Sequence, residues 1–149
     1  MELLRLAALD AEDLTVISAH LQDAILRPED LTYIAGEDRF LMAVRRFDWT
    51  PGAPPRRRLA GVHVERVLGV KTRGIKPGDT MPMSLLALTF EPTDAPSGYI
   101  DLVFSGGAAV RLEVECIEVR MKDLGPVWEA ATRPGHDIDT TDTAPGTAA

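Results

Sequence analysis

Arg45-Arg46-Phe47-Asp48-Trp49 and Pro54-Pro55-Arg56-Arg57-Arg58 form the densest grouping of ligand-recognising residue types in the chain. A guanidinium is planar and offers paired N–H donors to a carboxylate or phosphate. Beside an aromatic ring it adds a cation–π contact. Strand alternation places Arg45, Phe47 and Trp49 on one face and Arg46 and Asp48 on the other. These residues therefore suit recognition of a small anion or an acidic partner. A plainer reading competes with this one. In it the cluster closes the rim of a core, Arg46 and Asp48 pair weakly at the surface, and Arg56 to Arg58 form a solvated loop. Charges on such a loop discourage sheet-to-sheet aggregation at an edge strand.

The other chemistry-bearing residues are more scattered. His63 and Glu65 lie two apart on one strand face, and His20 and Asp23 three apart on one helix flank. A zinc site needs three or four convergent ligands. Nothing in the sequence joins the two pairs, and His136 falls in a polar tail, so ordinary polar-face residues are the better reading. A small hydrolase using His63 and Glu65 with a metal or water is the enzymatic alternative. It requires a pocket that brings His63 near His20 or Asp23. Cys116 is flanked by Glu113, Glu115 and Glu118, whose charge blunts a thiol's reactivity. Its parity matches Val110, Leu112 and Val114, which predicts a buried structural residue. Gly106-Gly107 lacks the helix and Lys-Ser/Thr of a phosphate loop. Lys71-Thr72-Arg73-Gly74-Ile75-Lys76 is at most a non-specific anion loop.

At 149 residues and 16.2 kDa the chain fits a single domain, read over residues 1–132 with a disordered tail at 133–149. A net charge of −7 opposes general nucleic-acid binding. Apolar runs such as Leu85 to Leu88 are far short of the about 20 residues of a membrane helix. The start shows no basic leader with an apolar stretch, and a lone cysteine excludes an internal disulfide, so a cytoplasmic location is expected. No cofactor is implied.

The elements that must position these residues are mostly strands. Between Tyr99 and Met121, Ile100, Leu102 and Phe104 alternate on one side of Ser105-Gly106-Gly107-Ala108, and Val110, Leu112 and Val114 on the other. A two-residue turn at Gly106-Gly107 fits that hairpin. Further strands are read at Leu3 to Leu9, Leu31 to Ala35, Arg39 to Trp49, Arg58 to Val70 (slipping at Arg66-Val67-Leu68) and Ser84 to Phe90, the most central. A helix runs from Ala11 to Leu26, capped by Asp10 and stopped by Pro28. Ile117 to Leu124 fits either strand or helix. A bulged strand to Met121, then a short helix from Pro126, is preferred. The fold expected is α+β: a mainly antiparallel sheet of about seven strands with an N-terminal helix and a short C-terminal helix. The sheet is a curled sheet, a barrel or a two-layer sandwich, with a pleckstrin-homology-like barrel as one version.

The strings Leu9 to Asp23, Arg45 to Trp49 and Phe104 to Glu118 resemble an uncharacterised family of small alphaproteobacterial proteins, domain-of-unknown-function family 2948. The likeness covers roughly Leu3 to Pro134. It implies a bacterial cytoplasmic protein and brings no activity, ligand or catalytic residue. The function read from the residues is a non-catalytic binding or adaptor domain. Its recognition face comprises Arg45, Phe47, Trp49, Arg56, Arg57 and Arg58, and its target is an acidic partner or small anion. The hydrolase and a structural subunit of an oligomer are the alternatives. No nucleic-acid or membrane partner is expected.

Overall fold

The computed structural model describes residues 3–76 and 78–129. Along them run β1 (Arg5–Ala8), α1 (Ala11–Leu21), β2 (Ala24–Leu26), β3 (Leu31–Ile34), β4 (Arg39–Phe47) and β5 (Arg56–Val64). Then follow β6 (Val67–Arg73), β7 (Met83–Pro92), β8 (Gly98–Phe104), β9 (Ala109–Val114) and β10 (Val119–Glu129). All ten strands join one antiparallel sheet in the order β1-β10-β5-β4-β2-β7-β8-β9-β6, with β3 added beside β4.

The sheet curls because two of its ribbons bend together. Only Glu65 and Arg66 separate β5 from β6, and Arg66 takes a left-handed φ of 62°. The Glu65 amide donates to the Glu118 carbonyl (2.9 Å) and the Glu115 amide to the Arg66 carbonyl (3.1 Å). Pairing thus passes round the corner from β5·β10 to β6·β9. One face of each strand turns inward, as the alternating burial of Phe40, Met42, Val44 and of Ala60, Val62, Val64 records.

Helix α1 covers part of that interior, packing on β7, β1 and β4. The Asp10 carboxylate accepts from the Asp13 amide at 2.8 Å and satisfies one free donor of the first turn. Leu14, Ile17 and Leu21 recur at helical spacing and are buried, each contributing about 1.5–3 kcal/mol through removal from water.

The structure corrects the sequence expectations at five places. Among the described residues strands number ten rather than about seven, because two of the expected strands split at the corner and the end of the expected helix forms β2. The helix ends at Leu21 rather than Leu26: Asp23 takes a left-handed φ of 66° and its amide donates to the Leu85 carbonyl at 2.7 Å. Ala24 and Leu26 then bury as strand residues between β4 and β7. No helix starts at Pro126, since β10 continues to Glu129. Register shifts on either side of Gly125 (φ 128°) let proline, which has no amide hydrogen, pass along the strand. Cys116 is only half-buried, in the bend after β9, while Ile117 takes the inward position. The glycine turn is also longer than two residues: Ser105–Gly107 form a 3-10 turn, with Gly106 and Gly107 both at positive φ. The tail expected from residue 133, with His136, lies outside the described residues.

Candidate functional site

The ladder between β4 and β5 sets Arg46 opposite Arg58 and Phe47 opposite Arg57. Arg46 and Arg58 both point inward and are 3% exposed. Like charges facing each other across a ladder destabilise it, so each needs a counter-charge. Arg46 donates from Nε to Asp123 Oδ1 at 2.8 Å and from Nη2 to Asp123 Oδ2 at 2.9 Å. Arg58 Nε and Arg56 Nε both donate to Asp48 Oδ2, at 3.0 and 2.9 Å. The other Asp48 oxygen accepts from the Thr50 amide and hydroxyl. Asp123 also accepts from the Leu4 amide at 2.8 Å, which ties the start of β1 into the network.

These contacts decide the charge states. Burial pushes the Asp48 carboxyl upward, but the Thr50 donors and then Arg56 and Arg58 together hold it well below the usual carboxylate range. Burial likewise opposes the Asp123 carboxylate, and the Arg46 and Leu4 hydrogen bonds outweigh it, so its pKa is also lowered. His20, on the last turn of α1, titrates below its ordinary value because it is desolvated and because Arg46 repels its cationic form.

A concavity of about 520 Å³ opens onto this network, lined by His20, Arg46, Asp48, Trp49, Arg56 and Arg58, with Leu3 and Leu4 at its side. Arg56 spends only Nε on Asp48, its side chain is 24% exposed, and its two terminal amino groups have no partner among the described residues. Three guanidiniums therefore meet two carboxylates around one pocket, with a histidine held toward its neutral form. Such a site favours an anion.

The six residues read from the sequence divide between two faces. Arg56, Arg58 and Trp49 reach the pocket. Arg45, Phe47 and Arg57 lie on the other side, as alternation requires, but Trp49, expected on the face of Arg45 and Phe47, follows the end of β4 at Phe47 and lines the pocket instead. Phe47 is fully buried, with the Trp49 ring 4.6 Å away at 67° and the Arg57 guanidinium 5.9 Å from its centroid. Arg57 donates to the carbonyls of Arg45 and Asp23. Arg45 stands 4.0 Å from Asp30. Arg56 to Arg58 belong to a strand and not to a loop, and Arg57 and Arg58 are buried. Arg46 and Asp48 are buried as well and pair with other residues, not with each other. Sequence reasoning missed His20, Thr50 and Asp123 as members of the site. Asp123 carried a signal: its parity matches the inward Val119 and Met121, and an acid on an apolar face requires a buried partner.

His63 and Glu65 do meet, with Nδ1 2.7 Å from Oε2, and Arg39 Nε contacts both Glu65 oxygens. Burial opposes the Glu65 carboxylate, but His63 and Arg39 hold it below its usual pKa. His63 lines concavities on the outer side of the sheet, whereas His20 lines the pocket described above. Among the described residues no group of three or more His, Cys, Asp and Glu is placed to hold a metal ion. Among them, too, no helix is long and apolar enough to cross a membrane.

Fold and site define an antiparallel α+β protein with an ionic pocket at one end of its curled sheet. The chain belongs to the family described as Protein of unknown function (DUF2948), whose model matches residues 4–136. No curated protein and no solved structure matches it.

Proposed function

We propose that this protein is a non-catalytic binding module whose ligand is a small anion, a carboxylate or phosphate, held in the pocket between α1, β1 and the β4–β5 end of the sheet. One observation carries the reading: three guanidiniums converge on a single concavity, Asp48 and Asp123 pair with two of them, and Arg56 has two terminal amino groups without a partner among the described residues. The buried pairs Arg46–Asp123 and Arg58–Asp48 hold the floor rigid. Arg56 is the residue that closes on the ligand.

Calorimetric titration with succinate and with inorganic phosphate tests this. At least one should bind saturably to the wild type and at least tenfold more weakly to Arg56→Gln. Arg45→Gln, altered on the opposite face, should bind as the wild type does. Absence of binding by both anions, or equal losses in the two variants, overturns the proposal. The hydrolase reading has the His63–Glu65 hydrogen bond in its favour, but it requires a pocket shared with His20 or Asp23, whereas His63 and His20 line separate concavities and Asp23 lines none of them.

A further inference from the structure

The outer face of the sheet carries a second concavity of about 780 Å³, remote in character from the ionic pocket. Strand register defines its floor. One row across β4, β5, β10 and β1 reads Leu41, His63, Arg120, Ala7, and the next reads Ala43, Gly61, Lys122, Arg5. Each row spans three interstrand spacings, about 14 Å. Ala43 and Gly61 carry the smallest side chains in the middle of the floor, and the space over Gly61 is taken by Leu124. Leu124 is 48% exposed, and a Cβ on Gly61 would sit 3.2 Å from one of its methyls.

Charge gives the groove a direction. Arg5 and Lys122 are direct cross-strand partners, a repulsive arrangement, and neither forms an ion pair among the described residues. Arg120 stands two residues along the same strand face and holds only Glu118, at 3.1 Å. Three cations thus gather at the β1–β10 end of a chain whose net charge is −7. At the opposite end lie Glu29 and Asp30.

We propose that this groove binds a free, unbranched aliphatic carboxylate. Its head sits between Arg5, Lys122 and Arg120, and its chain runs alongside Leu124, which covers Gly61, and over Ala43 toward Leu41. A single anionic head relieves the Arg5–Lys122 repulsion, and the apolar floor takes the chain. The acidic β3 end excludes the reversed orientation. This site is independent of the ionic pocket.

Decanoate and decanol are the probes, because they share a chain and differ in charge. Calorimetric titration should show saturable decanoate binding to the wild type, at least tenfold weaker decanol binding, and at least a tenfold loss of decanoate affinity in the exposed double variant Arg5→Gln/Lys122→Gln. Arg56→Gln should bind decanoate as the wild type does, which separates this site from the anion pocket. Equal affinity for the two probes, no effect of the double variant, or no saturable binding overturns the proposal. So does sedimentation showing a dimer that decanoate leaves intact and the double variant dissociates, since a second copy would then fill the groove.

Discussion

Arg46 and Asp123 stand 77 residues apart in the chain and meet through two charge-assisted hydrogen bonds of 2.8 and 2.9 Å, both residues at most 3% exposed. The pair is where β4 and β10 are held at one depth across β5, and through the Leu4 amide it also holds the entry to β1. A buried ion pair contributes little net stability over an apolar pair of the same shape, yet breaking one side leaves an uncompensated charge. Asp123→Asn should therefore cost about 3–5 kcal/mol. The double replacement Arg46→Met/Asp123→Leu should cost less than the sum of its two single changes, a coupling that urea unfolding of all four proteins measures. Additive losses would mean the two side chains act independently.

Acidification should weaken the fold in two stages. His20 has a lowered pKa when folded, so below its ordinary 6.5 the unfolded chain binds the proton more readily and stability falls. Asp48 and Asp123 also have lowered values. Their contribution is complete above the ordinary 3.8 and is lost as pH drops through and below it. Both effects have the same sign. The urea midpoint should decline gently from pH 7 to 5 and steeply below pH 4. His20→Gln should flatten the first stage and leave the second; a midpoint that rises on acidification would contradict the charge states assigned to the network.

How much of this was legible depends on the range over which each feature is encoded. The β8–β9 hairpin could be read directly, because Ile100, Leu102 and Phe104 against Val110, Leu112 and Val114 state which face is buried within fifteen residues. The corner could not: alternation breaks at Glu65-Arg66 and at Glu115 to Glu118 but resumes at once, so each bent ribbon looks like one strand with a slip. Strand β2 hid because Ala24 and Ile25 continue the helical spacing of Leu14, Ile17 and Leu21, and only the left-handed Asp23 breaks the phase. The residues of the site were partly visible as an arginine cluster, and parity separated Arg46 and Asp48 from Arg45 and Phe47 but failed at Trp49, which lies beyond the end of β4. Their partners were not visible. Asp123 reaches Arg46 only through the β10–β5–β4 register, which no local pattern contains.

The helix cap offers a mild and local test. Asp10 supplies the one side-chain acceptor for the first turn of α1, at the Asp13 amide, and it is solvent-exposed. Asp10→Ala should cost about 1 kcal/mol in urea unfolding without altering anion binding. Asp10→Asn should recover most of that loss, since an amide oxygen caps equally well. A loss of 3 kcal/mol or more (about that range marks core disruption) would show that the start of α1 is coupled to the ionic network through β1.

Gly98, at the start of β8, lies hard against the end of β7. It pairs with Pro92 on β7 and Val114 on β9, and a Cβ there would lie 2.5 Å from the Glu91 carbonyl oxygen and 2.5 Å from Phe90 Cζ. The ring can turn aside, but the carbonyl belongs to the ladder and cannot move without breaking pairing. Gly98→Ala should cost about 1–3 kcal/mol, as overpacking against fixed backbone does. Gly36, in the turn before β4, has nothing within 4 Å of the same added atom. Gly36→Ala should stay within about 0.5 kcal/mol of the wild type. Parallel urea titrations of the two variants separate the cost of a close approach from the general cost of losing a glycine, and equal midpoints would refute the close approach at Gly98.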